Sequence, residues 1–184
     1  STLTTFGINA AVFGMVAHGL ITGMLFFIAG SVKHRYHTLE IKRLSGMLIQ
    51  APRLGWIMGF AAMASLGLPG LAGFWGEFPA ILSAYEPGAG LSDVTFRVYM
   101  VVAAIGTVFA AGYLLWLYQR TAFGTPTEEF ADEDIPDVNI PEWIAWTPML
   151  LLILVIGIFP NLVFRVTDGE MTSVAQSIAS AVGG

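Results

Sequence analysis

The sequence predicts an all-α integral membrane fold with four transmembrane segments, the second of them discontinuous. Three observations carry this reading. Hydrophobic residues make up 55% of the 184 and charged residues only 11%, whereas a soluble domain of this size needs far more charge to cover its surface. Four stretches reach the length of about 20 apolar residues that a bilayer crossing takes. One of them contains LGLPGLAGFWGEF, Leu66–Phe78, which interrupts itself with glycine and proline and then carries a carboxylate.

The first segment runs from about residue 6 to 32, and His18 is its only acid, base or histidine. The second runs from about 54 to 85, with Glu77 alone in that class. The third, about 98–118, and the fourth, about 143–164, carry none. No stretch alternates polar and apolar residues as a barrel strand must. The second segment is too long for a simple crossing: its span corresponds to roughly 48 Å of helix, against a hydrocarbon core of about 30 Å. Gly67, Pro69, Gly70 and Gly73 lie near its centre. Proline removes a backbone donor and glycine admits other dihedrals. The expectation is one half-helix ending before Leu66 and another starting near Ala72. Tilt, or ends lying outside the hydrocarbon, is the plainer explanation of the length.

Charge placement gives an orientation. Lys33, Arg35, Lys42, Arg43 and Arg53 all fall between the first two segments, which puts the 33–53 loop in the cytoplasm. The N-terminus, the loop near Glu86–Thr95 and the C-terminus are then outside. The third loop carries Glu128, Glu129, Asp132, Glu133, Asp134, Asp137 and Glu142 and reads as a solvated, irregular linker, with an acidic docking surface as the sharper alternative. Residues 1–165 form the transmembrane region. Residues 166–184 form a tail whose Met171, Val174, Ile178 and Val182 make an interfacial amphipathic stripe. Trp56, Trp116, Trp143 and Trp146 fall where interfacial aromatics belong. The sequence begins without methionine, basic start or cleavage site. The expectation is no signal peptide and either a processed chain or a piece of something longer.

Several chemistries are excluded or poorly supported. There is no cysteine, so no disulfide or thiolate site. His34 and His37 have no third ligand nearby, so no metal is expected. Basic residues are too few for nucleic acid. Two residues stand out instead. Burial at membrane depth penalises an ionised carboxylate, and a carboxyl group that exchanges between its two forms can load and release a proton. Glu77 follows a helix break, where discontinuous helices build ion sites. The plainer role is a permanently protonated side chain in one hydrogen bond. His18 shares a small, polar stripe with Gly7, Ala11, Gly14 and Thr22. Imidazole changes charge near neutrality, and the plainer role is a neutral ring bonded to a neighbouring helix. The GxxxG pairs Gly19/Gly23 and Gly55/Gly59 suggest close helix packing.

The strings AHGLITGMLFFIAGSVKHRYHT (Ala17–Thr38), LSGM (Leu44–Met47) and SLGLPGLAGFWGEF (Ser65–Phe78) resemble the antiporter-like subunits of bacterial respiratory complex I, with relatives in multisubunit cation/proton antiporters and membrane-bound hydrogenases. Of the L, M and N types the M type is the nearer, because His-Gly-Leu stands in the first helix and a glutamate, not a lysine, follows the break. The resemblance covers about residues 6–165. It implies the last part of a fourteen-helix fold. It also implies proton translocation coupled to quinone reduction, with Glu77 as terminal proton carrier and His18 on the central hydrophilic axis. It implies membership of an enzyme, a proton-translocating NADH:quinone oxidoreductase, with no redox chemistry and no cofactor in this chain. FMN, iron–sulfur clusters and quinone belong elsewhere in the complex. The implied partners are L- and N-type and small membrane-arm subunits, the lipid of a bacterial plasma membrane, and upstream helices absent from this sequence. The family's Glu–Lys pair and central Lys lie on those helices, so this chain alone is not a complete channel. A subunit of a multisubunit cation/proton antiporter or membrane-bound hydrogenase, and a non-catalytic four-helix scaffold, are the competing expectations.

Overall fold

The computed structural model describes residues 2–182, and all regular structure among them is helical. Helix α1 spans Thr5–Tyr36, α2 Met47–Gln50, α3 Pro52–Ser65, α4 Ala72–Leu82, α5 Asp93–Ala122, α6 Ile140–Ile158 and α7 Asn161–Val182, with a 3-10 turn at Ile41–Arg43. Helices α1, α5 and α6 are each long and apolar enough to cross a membrane. Local chemistry sets their ends. The Gly7 amide donates to the Thr4 hydroxyl at 3.0 Å, and the Ser92 hydroxyl caps α5. Asn139 and Glu142 close a reciprocal capping box at α6, each bond 2.9 Å. Helix α1 runs past the expected Val32 because Lys33, His34 and Arg35 suit a helix C-terminus. It stops where His37 turns left-handed at φ 52°.

The second segment is broken where the sequence predicts. Helix α3 ends at Ser65 and α4 begins at Ala72. Between them Gly67 (φ 65°) and Gly70 (φ 92°) take left-handed dihedrals that favour glycine, and Pro69 offers no donor. Helix α6 braces the break. The Trp75 indole donates to the Gly157 carbonyl at 2.7 Å. A Cβ on Gly157 would lie 2.5 Å from the Gly70 carbonyl oxygen and the Leu71 Cα, so the two backbones touch there.

Two expectations need correction. The fourth segment does not continue as one helix to Phe164. It ends at Ile158, because Pro160 cannot donate and the chain bends at Phe159. The tail helix accordingly starts at Asn161, upstream of residue 166, and packs on α1. There the Phe164 and Phe13 rings are 5.0 Å apart, and the Asn9 amide donates to Asp168 Oδ1 at 2.7 Å. Of the expected stripe, Met171 and Ile178 are half-buried and Val174 is exposed; the Val182 side chain lies outside the described residues. The third loop is also not a purely solvated linker. Phe130, Ile135 and Val138 are buried in it, and Phe130 meets Tyr36 edge-on at 5.2 Å.

Helix α1 is the hub and packs against α3, α4, α6 and α7. Helix α5 touches α3 and α4 along one side and otherwise exposes apolar residues such as Val102, Val108 and Phe109. The tryptophans divide: Trp56 and Trp116 are exposed, whereas Trp146 is core. Of the GxxxG glycines, Gly59 lets the Tyr118 ring approach, but Gly19 touches nothing. The loops sort to two ends. Thr2 and the 86–95 loop meet through the Gly88 amide and the Thr2 carbonyl at 2.7 Å. At the opposite end the Gly46 amide donates to the Phe123 carbonyl at 3.1 Å, and the Thr127 hydroxyl to the Arg43 carbonyl at 3.0 Å.

Candidate functional site

The break opens a cleft of about 150 Å³ between α1 and the two half-helices. Gly14, Ala17, His18 and Ile21 of α1 form one wall; Ala64 and Ser65 of α3 with Gly73, Gly76 and Glu77 of α4 form the other. The walls come together because both helices use glycine. A Cβ on Gly76 would lie 2.5 Å from the Gly14 Cα, so α1 and α4 cross at backbone contact. Gly73 likewise lets α4 press on the Ala64 carbonyl.

The two titratable residues singled out in the sequence line this one cleft. Side chains on a helix lean toward its N-terminus, and the Glu77 carboxyl accordingly reaches back over the break: a Cβ on Gly67 would sit 2.8 Å from its Oε2. Glu77 lies in the second turn of α4, beyond the first-turn range of the helix dipole, so the helix N-terminus supports it little. His18 Nε2 lies 3.2 Å from the Thr22 hydroxyl. Both His18 and Glu77 are exposed on the surface of this chain. Among the described residues nothing hydrogen-bonds the Glu77 carboxyl. The cleft therefore opens at the surface of this chain.

A second polar cluster went unread in the sequence. Arg35, whose side chain is 3% exposed, forms a bidentate ion pair with Glu142, with bonds of 2.6 and 2.8 Å. Its remaining donors go to Ser31, to the Pro136 carbonyl at 2.6 Å and to the Asp137 carbonyl at 3.0 Å. The Asp137 carboxylate accepts from the Arg53 and Leu54 amides at 3.0 and 3.1 Å, capping α3 from a distant loop. One network thus ties the end of α1, the start of α6 and the start of the first half-helix. Arg35 reads in the sequence as a topogenic charge. The signal that marks it is the Asn139-x-x-Glu142 capping box, which fixes an acid at the start of a crossing helix and so asks for a cation. Arg43 and Glu129 pair at the same end, out in solvent.

Long apolar helices packed around a helix broken into two halves give this chain the fold of antiporter-like membrane subunits. The family model described as NADH:quinone oxidoreductase/Mrp antiporter, transmembrane, matches residues 1–118, and the chain belongs to that family. It is 31% identical to NADH-quinone oxidoreductase subunit M of Rhodobacter capsulatus, over 96% of this chain and 33% of that one. It is equally identical to an NAD(P)H-quinone oxidoreductase chain 4 of Thermosynechococcus vestitus, over 98% of this chain and 34% of the relative. Among solved structures, respiratory complex I from Thermus thermophilus with bound NADH matches with a TM-score of 0.80 and 29% identity, over 100% of this chain and 36% of that one. The Mrp complex from a Dietzia species shares the fold, with a TM-score of 0.77 at 16% identity. The chain spans about a third of the length of the curated relatives it matches.

Proposed function

We propose that this chain acts as part of a proton-translocating, M-type membrane-arm subunit of an NADH-quinone oxidoreductase. The observation that carries the proposal is the shared cleft at the helix break, where Glu77 and His18 face an opening that the chain leaves unfilled. In this reading the half-helices α3 and α4 together make the fourth crossing. Glu77 rests a proton at membrane depth, and His18 passes it to a hydrophilic axis completed by upstream helices. Quinone reduction elsewhere in the complex drives the exchange. The 33–53 loop lies in the cytoplasm of a bacterial cell and the C-terminus outside, with residues 1–165 in the plasma membrane and the remaining tail on its surface. L- and N-type subunits are the neighbours.

The test is the proton-to-electron ratio of the complete complex in sealed vesicles. Glu77→Gln removes the titratable group without changing shape and is expected to lower the ratio while quinone reduction continues. Glu77→Asp keeps a carboxyl and should retain more pumping than Gln. Unchanged pumping in Glu77→Gln contradicts the proposal. The antiporter alternative is disfavoured by glutamate at position 77, and a scaffold role is disfavoured by a glutamate and a histidine left facing outward across one cleft.

A further inference from the structure

Two cavities meet at the basic end of the molecule, and neither belongs to the Glu77 cleft. The first is a groove of about 580 Å³ between the 3-10 turn and the end of α5, with Lys42, Gln119 and Arg120 on its walls and Trp116 at its edge. The second, about 330 Å³, runs deeper between α1, α3 and α5 and is lined by apolar side chains including Met58, Leu114 and Leu117. Ile41 and Leu44 line both, so the polar groove adjoins the apolar one.

The charges in the groove are uncommitted. Arg43, their neighbour in sequence, is paired with Glu129. Among the described residues neither Lys42 nor Arg120 makes an ion pair, and Arg120 lies over the Trp116 ring at 5.7 Å. Exposed tryptophan beside unpaired cations, at the end of a crossing helix, marks the level of lipid headgroups. Basic pockets at that level hold anionic headgroups. An apolar cleft adjoining such a pocket suits an acyl chain joined to its headgroup.

We propose that Lys42 and Arg120 bind the headgroup phosphate of an anionic phospholipid, one of whose acyl chains lies in the cleft between Leu114, Leu117 and Met58. The lipid fills the seam between α1 and α5.

The experiment uses the complete complex in nanodiscs of phosphatidylcholine containing a phosphatidylglycerol with a photoreactive acyl chain. Irradiation is expected to label the peptide carrying Leu114 and Leu117. The Lys42→Ala/Arg120→Ala double variant should bind the probe about thirtyfold more weakly, since each cation near the surface contributes about 1 kcal/mol. The exchanged pair Lys42→Arg/Arg120→Lys should keep it. Leu117→Trp, which fills the cleft and spares both cations, should remove the label, and inorganic phosphate should leave it in place. Equal labelling of the double variant, displacement by phosphate, or label confined to peptides outside the cleft would each overturn the proposal. If the double variant does not assemble, competition on the unaltered complex decides. Unlabelled phosphatidylglycerol outcompeting phosphatidylcholine supports the site, and equal competition overturns it.

Discussion

At the scale of single residues, the site depends on what is missing as much as on what is present. Gly14 and Gly76 have no side chains, so α1 and α4 meet at their backbones and His18 and Glu77 share one cleft. Gly76→Leu should separate the helices and reduce pumping of the complete complex at least as much as Glu77→Gln, measured as protons moved per NADH oxidised. Gly67 is a sharper probe. A side chain there is strained at φ 65° and meets the Glu77 carboxyl, so Gly67→Ala should impair pumping although it changes no titratable group. The sequence makes Glu77, His18 and the glycines of the break legible, because an acid and an imidazole in apolar helices have few structural excuses. It does not show that both side chains face out of this chain. A periodic pattern reveals a face but not which partner covers it.

Among the elements, the broken helix is held from both sides. Helix α6 braces the break through Trp75 and Gly157, and the Arg35–Glu142–Asp137 network fixes the start of α3. Removing one partner of a buried pair leaves an uncompensated charge and costs about 3–5 kcal/mol. Arg35→Ala should therefore lower thermal stability far more than Arg43→Ala, whose pair is solvent-exposed, as read by thermal unfolding of the purified complex. The exposed pair also responds to acid. Arg43 holds the Glu129 carboxyl below its usual range; what little this pair contributes is present above the ordinary carboxylate range and is lost as pH falls through the depressed value. The sequence locates the helices and the break but misplaces the end of the fourth segment, where apolar residues continue through Pro160. Hydropathy reads the solvent, whereas the proline sets the backbone. The network escaped for a related reason. Its members lie far apart in the chain, and acids in a loop near basic residues look the same whether they are solvated or paired.

For the whole molecule, the loops divide cleanly between two ends. The segments around 37–51 and 123–139 bond to each other, and the 86–95 loop joins the N-terminal residues at the other end. This chain has no cysteine of its own, so once other accessible thiols of the complex are blocked or replaced, single introduced cysteines report sidedness. Lys42→Cys and Asp134→Cys should react with an impermeant thiol reagent from the same side of the membrane, and Glu86→Cys only from the other; reaction of Glu86→Cys with the first pair would undo the proposed topology. The outward-facing cleft fits the proposed place of the chain among further helices, and the chain matches about a third of its relatives' length. The central claim is that Glu77 takes up and releases a proton during turnover. Infrared difference spectroscopy of the complete complex during quinone reduction tests it most directly. The account predicts a carboxyl band that changes with turnover and disappears in Glu77→Gln; a spectrum in which that band is absent, or survives the substitution unchanged, would contradict it.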